Sequence, residues 1–149
     1  MTNAFSTRTA LVALAVVLAT VAGSCSGASD APDEASTCAA ATELSSVLDR
    51  LRHRSSLPTP SQLRSDVEAS ENLLGVLADG APADLQGDVA TVTAAVEVYG
   101  SAVSRADYDL LAAQTQFSTD EQVALYELES DVASSAIDSL DAFAASCAP

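Results

Sequence analysis

Apolar residues recur at steps of three and four almost everywhere after Cys38, the spacing that lines one face of an α-helix. Cys38, Ala41, Leu44, Leu48 and Leu51 trace a first stripe. Ser36 or Thr37 precedes it as N-cap, and Arg50, Arg52 and Arg54 fall near the negative end of the helix dipole. That helix ends before Pro58. Thr59-Pro60-Ser61-Gln62 then supplies a capping box with proline at the first helical position. Leu63, Val67, Leu74 and Leu77 carry a second stripe to Gly80, with Gly75 weakening its interior. Pro82 opens a third helix, with Asp84 in its first turn and Leu85, Val89, Val92, Val96, Tyr99 and Val103 in a strict 4-3-4-3-4 repeat.

Asp107 to Phe117 is less regular: Tyr108, Leu110, Leu111 and Phe117 fit either a short helix or a packed crossover. The last helix is expected to start at a second capping box, Ser118-Thr119-Asp120-Glu121. Leu125, Leu128, Val132, Ala136, Leu140, Phe143 and Cys147 then share its inner face. No segment alternates as a half-buried strand does, and no internal repeat is visible. The fold expected is all-α: an antiparallel up-down four-helix bundle, with a short extra helix or crossover before the last helix, because short connections make successive helices antiparallel neighbours. In that topology the start of the first helix lies beside the end of the last. Cys38 and Cys147 occupy those two places on the apolar stripes, so a disulfide between them is expected.

Ahead of the bundle, residues 26–36 lack large apolar side chains and read as a flexible linker, with the folded domain spanning 37–149. Residues 1–24 read as an export signal. Arg8 and the amino terminus are its only positive charges, and the thirteen-residue apolar run Ala10 to Ala22 is shorter than the roughly 20 residues that span a bilayer. Ala22-Gly23-Ser24-Cys25 resembles the bacterial lipobox, although Ala22 stands where Leu is preferred. The resemblance implies that Cys25 is lipidated and becomes the N-terminus of a membrane-anchored lipoprotein facing outside the cytoplasm. The alternative is ordinary signal cleavage at Ala22 or Ser24 and free secretion. Cysteine arithmetic favours the first: with Cys25 acylated, Cys38 and Cys147 remain as a pair, whereas secretion leaves an odd thiol in an oxidising compartment.

Charge narrows the partners. Beyond residue 24 the chain carries 21 acidic side chains against five arginines and no lysine, a net charge of −16. That surface repels nucleic-acid backbones, so nucleic acid is excluded as a partner. The stretch Ala81-Pro82-Ala83-Asp84-Leu85, its continuation through Val92 to Tyr99, and the ending Ala144-Ala145-Ser146-Cys147 resemble small exported alanine-rich helical proteins of high-GC Gram-positive bacteria. That resemblance covers about residues 38–149 and implies a two-cysteine helical domain without assigned catalytic residues.

A search for chemistry returns little. His53 is the only histidine, with no second histidine or free cysteine to complete a zinc site or an acyl-transfer pair. The paired serines Ser45-Ser46 and Ser134-Ser135 lack the Gly-x-Ser-x-Gly context of a nucleophile elbow. Asp107 and Asp109 lack the glycine and distal glutamate of a calcium loop. Glu127, Glu129 and Asp131 read as an exposed acidic face, and a chain without tryptophan has little from which to build a sugar platform. Arg50, Arg52 and Arg54 offer a docking point for an acidic partner, against the simpler reading of helix-dipole compensation. Tyr99, Tyr108, Tyr126 and Phe117 either line a small pocket near the crossover or fill core. No enzyme and no cofactor is expected. Two function classes remain: a monomeric, membrane-tethered, non-catalytic interaction or structural module of the cell envelope, and a carrier with an apolar cavity between helices of about 300 Å³ or more.

Overall fold

The computed structural model describes residues 32–54 and 56–147; the signal segment and Cys25 lie outside the described residues. The described chain is all-helical: α1 (Glu34–Arg52), α2 (Pro60–Gly80), α3 (Gln86–Ser104), α4 (Leu110–Gln116), α5 (Thr119–Val123), a 3₁₀ segment (Ala124–Glu129) and α6 (Asp131–Ser146).

Each boundary has a local cause. Asp33, rather than Ser36 or Thr37, caps α1: its side chain accepts the Ser36 N–H at 2.7 Å. The folded domain therefore starts before residue 37, and the last residues assigned to the linker belong to the helix. The absence of large side chains there conceals a strong cap followed by Glu34, whose charge suits the first turn. At α2 the expected capping box is complete, with Gln62 N–H on Thr59 Oγ1 (3.3 Å) and Gln62 Oε1 accepting from Thr59 N–H (3.0 Å). α3 starts later than Pro82, because Pro82 to Leu85 form a turn closed by Leu85 N–H on the Pro82 carbonyl (2.9 Å).

Four long helices form the frame: α1 packs on α2 and α6, α2 on α3, and α3 on α6 and the 3₁₀ segment. Arg50 near the end of α1 meets Asp66 near the start of α2. Gly80 at the other end of α2 lies against Pro32 and Thr37. α1 and α2 are thus antiparallel, and Gly100 of α3 against Val67 of α2 gives the same relation for the next pair. α6 returns along α1 and is joined to it by the Cys38–Cys147 disulfide, with Cα atoms 5.5 Å apart. The core contains Leu44, Leu48, Leu63, Leu74, Leu77, Val92, Val96, Val103 and Ile137, all essentially withdrawn from solvent. Its two buried polar residues are satisfied within their own helical turn, Thr37 on Asp33 O (3.1 Å) and Ser70 on Asp66 O (2.8 Å).

The final helix departs from expectation. The Ser118–Glu121 capping box forms, but α5 soon tightens into the 3₁₀ segment, and Ser130 breaks the run with extended backbone (ψ 149°) before capping α6. Each residue of helix turns about 100°, so an extended residue shifts the phase of the helix that follows it. Leu125, Leu128, Ala136 and Leu140 are buried as expected, but Val132 is 70% exposed, and Ala133 and Ile137 complete the inner face instead.

α3 ends in a Schellman motif: Tyr108 N–H reaches Val103 O (2.9 Å) and Asp107 N–H reaches Ser104 O (3.0 Å). Asp107 and Tyr108 consequently have φ of 52° and 62°, a conformation that glycine adopts without the steric penalty of a Cβ. Asp107→Gly is expected to raise stability by about 0.5–1 kcal/mol, seen as a higher urea midpoint at unchanged slope.

Candidate functional site

The end of α1 gathers three of the chain's arginines at alternate positions, and the fold sends each to a different neighbour. Arg50 turns to α2, where Nε and Nη2 both donate to Asp66 Oδ1 at 3.2 and 2.8 Å, while Nη1 holds the carbonyl and hydroxyl of Ser46. Arg52 turns to α6 and donates from Nη2 to Ser134 Oγ at 2.8 Å. Arg54, beyond the helix end, turns to α3: Nη2 donates to the Tyr99 hydroxyl and the guanidinium lies 5.7 Å from the ring centre. Its Nε also caps the Arg50 carbonyl at 3.2 Å. The sequence offers these three either as a docking point or as compensation of the helix dipole. The structure uses one or more donors of each to tie the end of α1 to another long helix.

Arg50, His53, Arg54, Leu57 and Asp66 also border an open cleft of about 410 Å³ at the α1–α2 connection. His53 Nδ1 lies 3.0 Å from Asp49 Oδ1, an exposed pair one turn apart, and such pairs contribute little to stability. Burial pushes the Tyr99 hydroxyl above its ordinary pKa, and the Arg54 charge opposes that shift. A phenol held neutral by desolvation is a good hydrogen-bond partner for a guanidinium and a poor general base at neutral pH.

The aromatic residues sort in the same way. Arg64 lies 4.8 Å from the Tyr108 ring centre and Arg105 5.2 Å from that of Phe117. With Arg54 on Tyr99, three aromatic rings carry a guanidinium, contacts worth about 0.5–1 kcal/mol each where exposed. Tyr126 is exposed (52%) and carries no such contact among the described residues.

Three carboxylates, Asp109, Glu121 and Asp33, act at helix starts. Asp109 Oδ1 accepts the Ala112 N–H (2.9 Å) at the start of α4. Glu121 closes the α5 capping box, and its hydrogen bonds from Ser118 hold it below the usual carboxylate range. Asp33 is lowered in the same way by Ser36. Among the described residues no group of three His, Cys, Asp or Glu side chains is arranged to hold a metal ion.

One polar feature escaped the sequence reading. Arg52 and Asp141 line a groove between α1 and α6, and each buries an atom, Arg52 Nε and Asp141 Oδ1, that has no hydrogen-bond partner among the described residues. Asp141 lies next to the apolar Leu140 on a helix with many polar positions, so periodicity gives it no distinction. Comparison with known proteins finds no family model, no curated protein and no solved structure that matches this chain.

Proposed function

We propose that this chain is a membrane-tethered extracytoplasmic lipoprotein, anchored through acylated Cys25, whose helical domain is a non-catalytic interaction or structural module of the cell envelope. The Cys38–Cys147 disulfide carries the reading. Structural disulfides persist in oxidising compartments, and pairing these two cysteines leaves Cys25 as the odd one, next to the apolar N-terminal run. Among the described residues no helix is long and apolar enough to cross a membrane.

We take α1, α2, α3 and α6 as an up-down-up-down four-helix bundle, with α4, α5 and the 3₁₀ segment as the crossover. The core supports a packed module over an apolar carrier: Leu44, Leu48, Leu74, Val92, Val96 and Ile137 fill the space between the helices, and the clefts at the α1–α2 connection and along α1 open onto the surface beside polar side chains. The acidic surface supports a monomer that avoids nucleic acid and meets a protein partner of the envelope.

Mass spectrometry of the chain isolated from membranes tests the address. The expected result is an N-terminus at Cys25 carrying diacylglycerol, with Cys38 and Cys147 protected from alkylation under native conditions. Recovery of the chain from the cytoplasm with Met1 retained and both thiols reactive would overturn the proposal.

A further inference from the structure

Beyond residue 24 the chain sets 21 acidic side chains against five arginines, yet among the described residues only Arg50 has a carboxylate within 4.0 Å. The others rest on neutral groups: Arg52 on Ser134 Oγ, Arg54 on the Tyr99 hydroxyl, Arg64 on the Tyr108 ring and Arg105 on the Phe117 ring. Such contacts hold a guanidinium in place without cancelling its charge. All five arginines also lie at one end of the frame. Arg50, Arg52 and Arg54 close α1, Arg64 is near the start of the antiparallel α2, and Arg105 ends α3. Cys38 lies on the same helix as Arg52 but about 20 Å from it along the axis, so the arginine end points away from the disulfide. Residues 49–66 carry four arginines and two aspartates, a net charge of +2, against one arginine and 19 acidic residues, −18, in the rest of the chain beyond residue 24.

The open cleft of about 410 Å³ at the α1–α2 connection draws its whole wall from this positive stretch. Arg54 borders it with a donor to spare: Nε and Nη2 are engaged, whereas Nη1 makes no hydrogen bond among the described residues and is not one of the buried atoms left unpartnered. Leu57, 59% exposed, and Pro58 supply the apolar part of the same wall. We propose that this cleft docks a short segment of a protein partner in which carboxylates alternate with apolar side chains, one carboxylate on Arg54 and one apolar side chain on Leu57 and Pro58. This docking rests on the reading of the domain as an interaction module and names the surface that interacts. Charge selects the occupant. A basic segment meets the local +2, and a wholly acidic protein surface is repelled by the −18 around it. A short acidic segment instead comes within a Debye length, about 8 Å, of the arginines. A small inorganic anion leaves Leu57 uncovered.

Titration calorimetry of the full, disulfide-intact chain with the peptide acetyl-Asp-Leu-Glu-Leu-Glu-amide tests it. One-to-one binding with Kd below about 1 mM is expected. The uncharged analogue acetyl-Asn-Leu-Gln-Leu-Gln-amide and inorganic phosphate, each offering half of the chemistry, are expected to bind at least about tenfold more weakly. Leu57→Glu sets a negative charge on the cleft wall and is expected to weaken peptide binding at least about tenfold. Its thermal midpoint should stay unchanged, because Leu57 is mostly in solvent and every arginine contact is kept. Ala39→Glu adds the same charge to an exposed position beside Cys38, at the other end of α1, and is expected to leave affinity within about twofold, since salt screens a charge so distant. The docking is overturned by the absence of saturable heat up to about 10 mM peptide, or by equal affinity for the uncharged analogue, for phosphate, or of the Leu57→Glu chain for the peptide. Equal losses in Leu57→Glu and Ala39→Glu also overturn it, since net charge and not the cleft then governs binding. None of these results bears on the N-terminus found at Cys25, so failure of the docking and failure of the envelope reading are told apart.

Discussion

Reduction of the Cys38–Cys147 disulfide is expected to remove about 2–5 kcal/mol of folding free energy, a large share of the roughly 5–15 kcal/mol that holds an ordinary domain together. The bond spans 109 positions, nearly the whole described chain. In the chain-entropy account, a loop of about 100 residues gains about 4.7 kcal/mol from closure. Its location adds to the effect. Cys147 is the residue that ends α6 and Cys38 lies early in α1, so the crosslink holds the two chain ends of the domain where fraying would otherwise begin. Urea unfolding followed by circular dichroism, with and without reductant, and of the Cys38→Ser/Cys147→Ser double variant, should show a clearly lower midpoint in both reduced and substituted forms. A loss smaller than about 1 kcal/mol would mean that α1–α6 packing closes the domain unaided. On the export proposed above, a cost of this size would make the fold fully stable only after the chain reaches an oxidising compartment.

Leu74→Ala and Gly75→Ala, one residue apart on α2, should move stability in opposite directions. Leu74 is 1% exposed and sits in the shared core. Truncating it loses transfer free energy and leaves a cavity, a cost of about 2–5 kcal/mol. Gly75 has nothing within 4 Å of the place where a Cβ would go, so alanine there reduces backbone freedom in the unfolded chain and gains about 0.5–1 kcal/mol. Gly100 shows why the environment and not the residue type decides: a Cβ there would come 2.9 Å from Val67 Cγ1, and the propensity gain is set against a clash between α2 and α3. Equal effects of the two α2 substitutions would contradict the placement of that helix.

Much of the fold was readable one helix at a time. The 4-3-4-3-4 repeat of α3 placed Val89, Val92, Val96, Tyr99 and Val103 in the core, where they are. Both capping boxes formed with both of their bonds, because their donors and acceptors lie within four residues of each other. Val132 shows where this way of reading stops. Periodicity presumes an unbroken helix, and past the extended residue Ser130 the stripe is turned enough to put Val132 outward and Ala133 and Ile137 inward, while Ala136 and Leu140 keep their expected places. The left-handed pair Asp107 and Tyr108 was also hidden, since nothing in an Asp-Tyr dipeptide announces the glycine-like conformation that the end of α3 imposes.

By itself the sequence determined what depends on near neighbours and on counting: helical character, the two capping boxes, the acidic charge, and the two cysteines left to pair once Cys25 is set aside. The candidate site was only partly legible. Arg50, Arg52 and Arg54 were visible as a cluster, but not that they diverge to α2, α6 and α3. Asp141 was not distinguished at all. Only the tertiary structure decided those, because which side chain finds a partner, and which is buried without one, depends on helices brought together from positions as much as 82 residues apart, and no local pattern encodes that meeting.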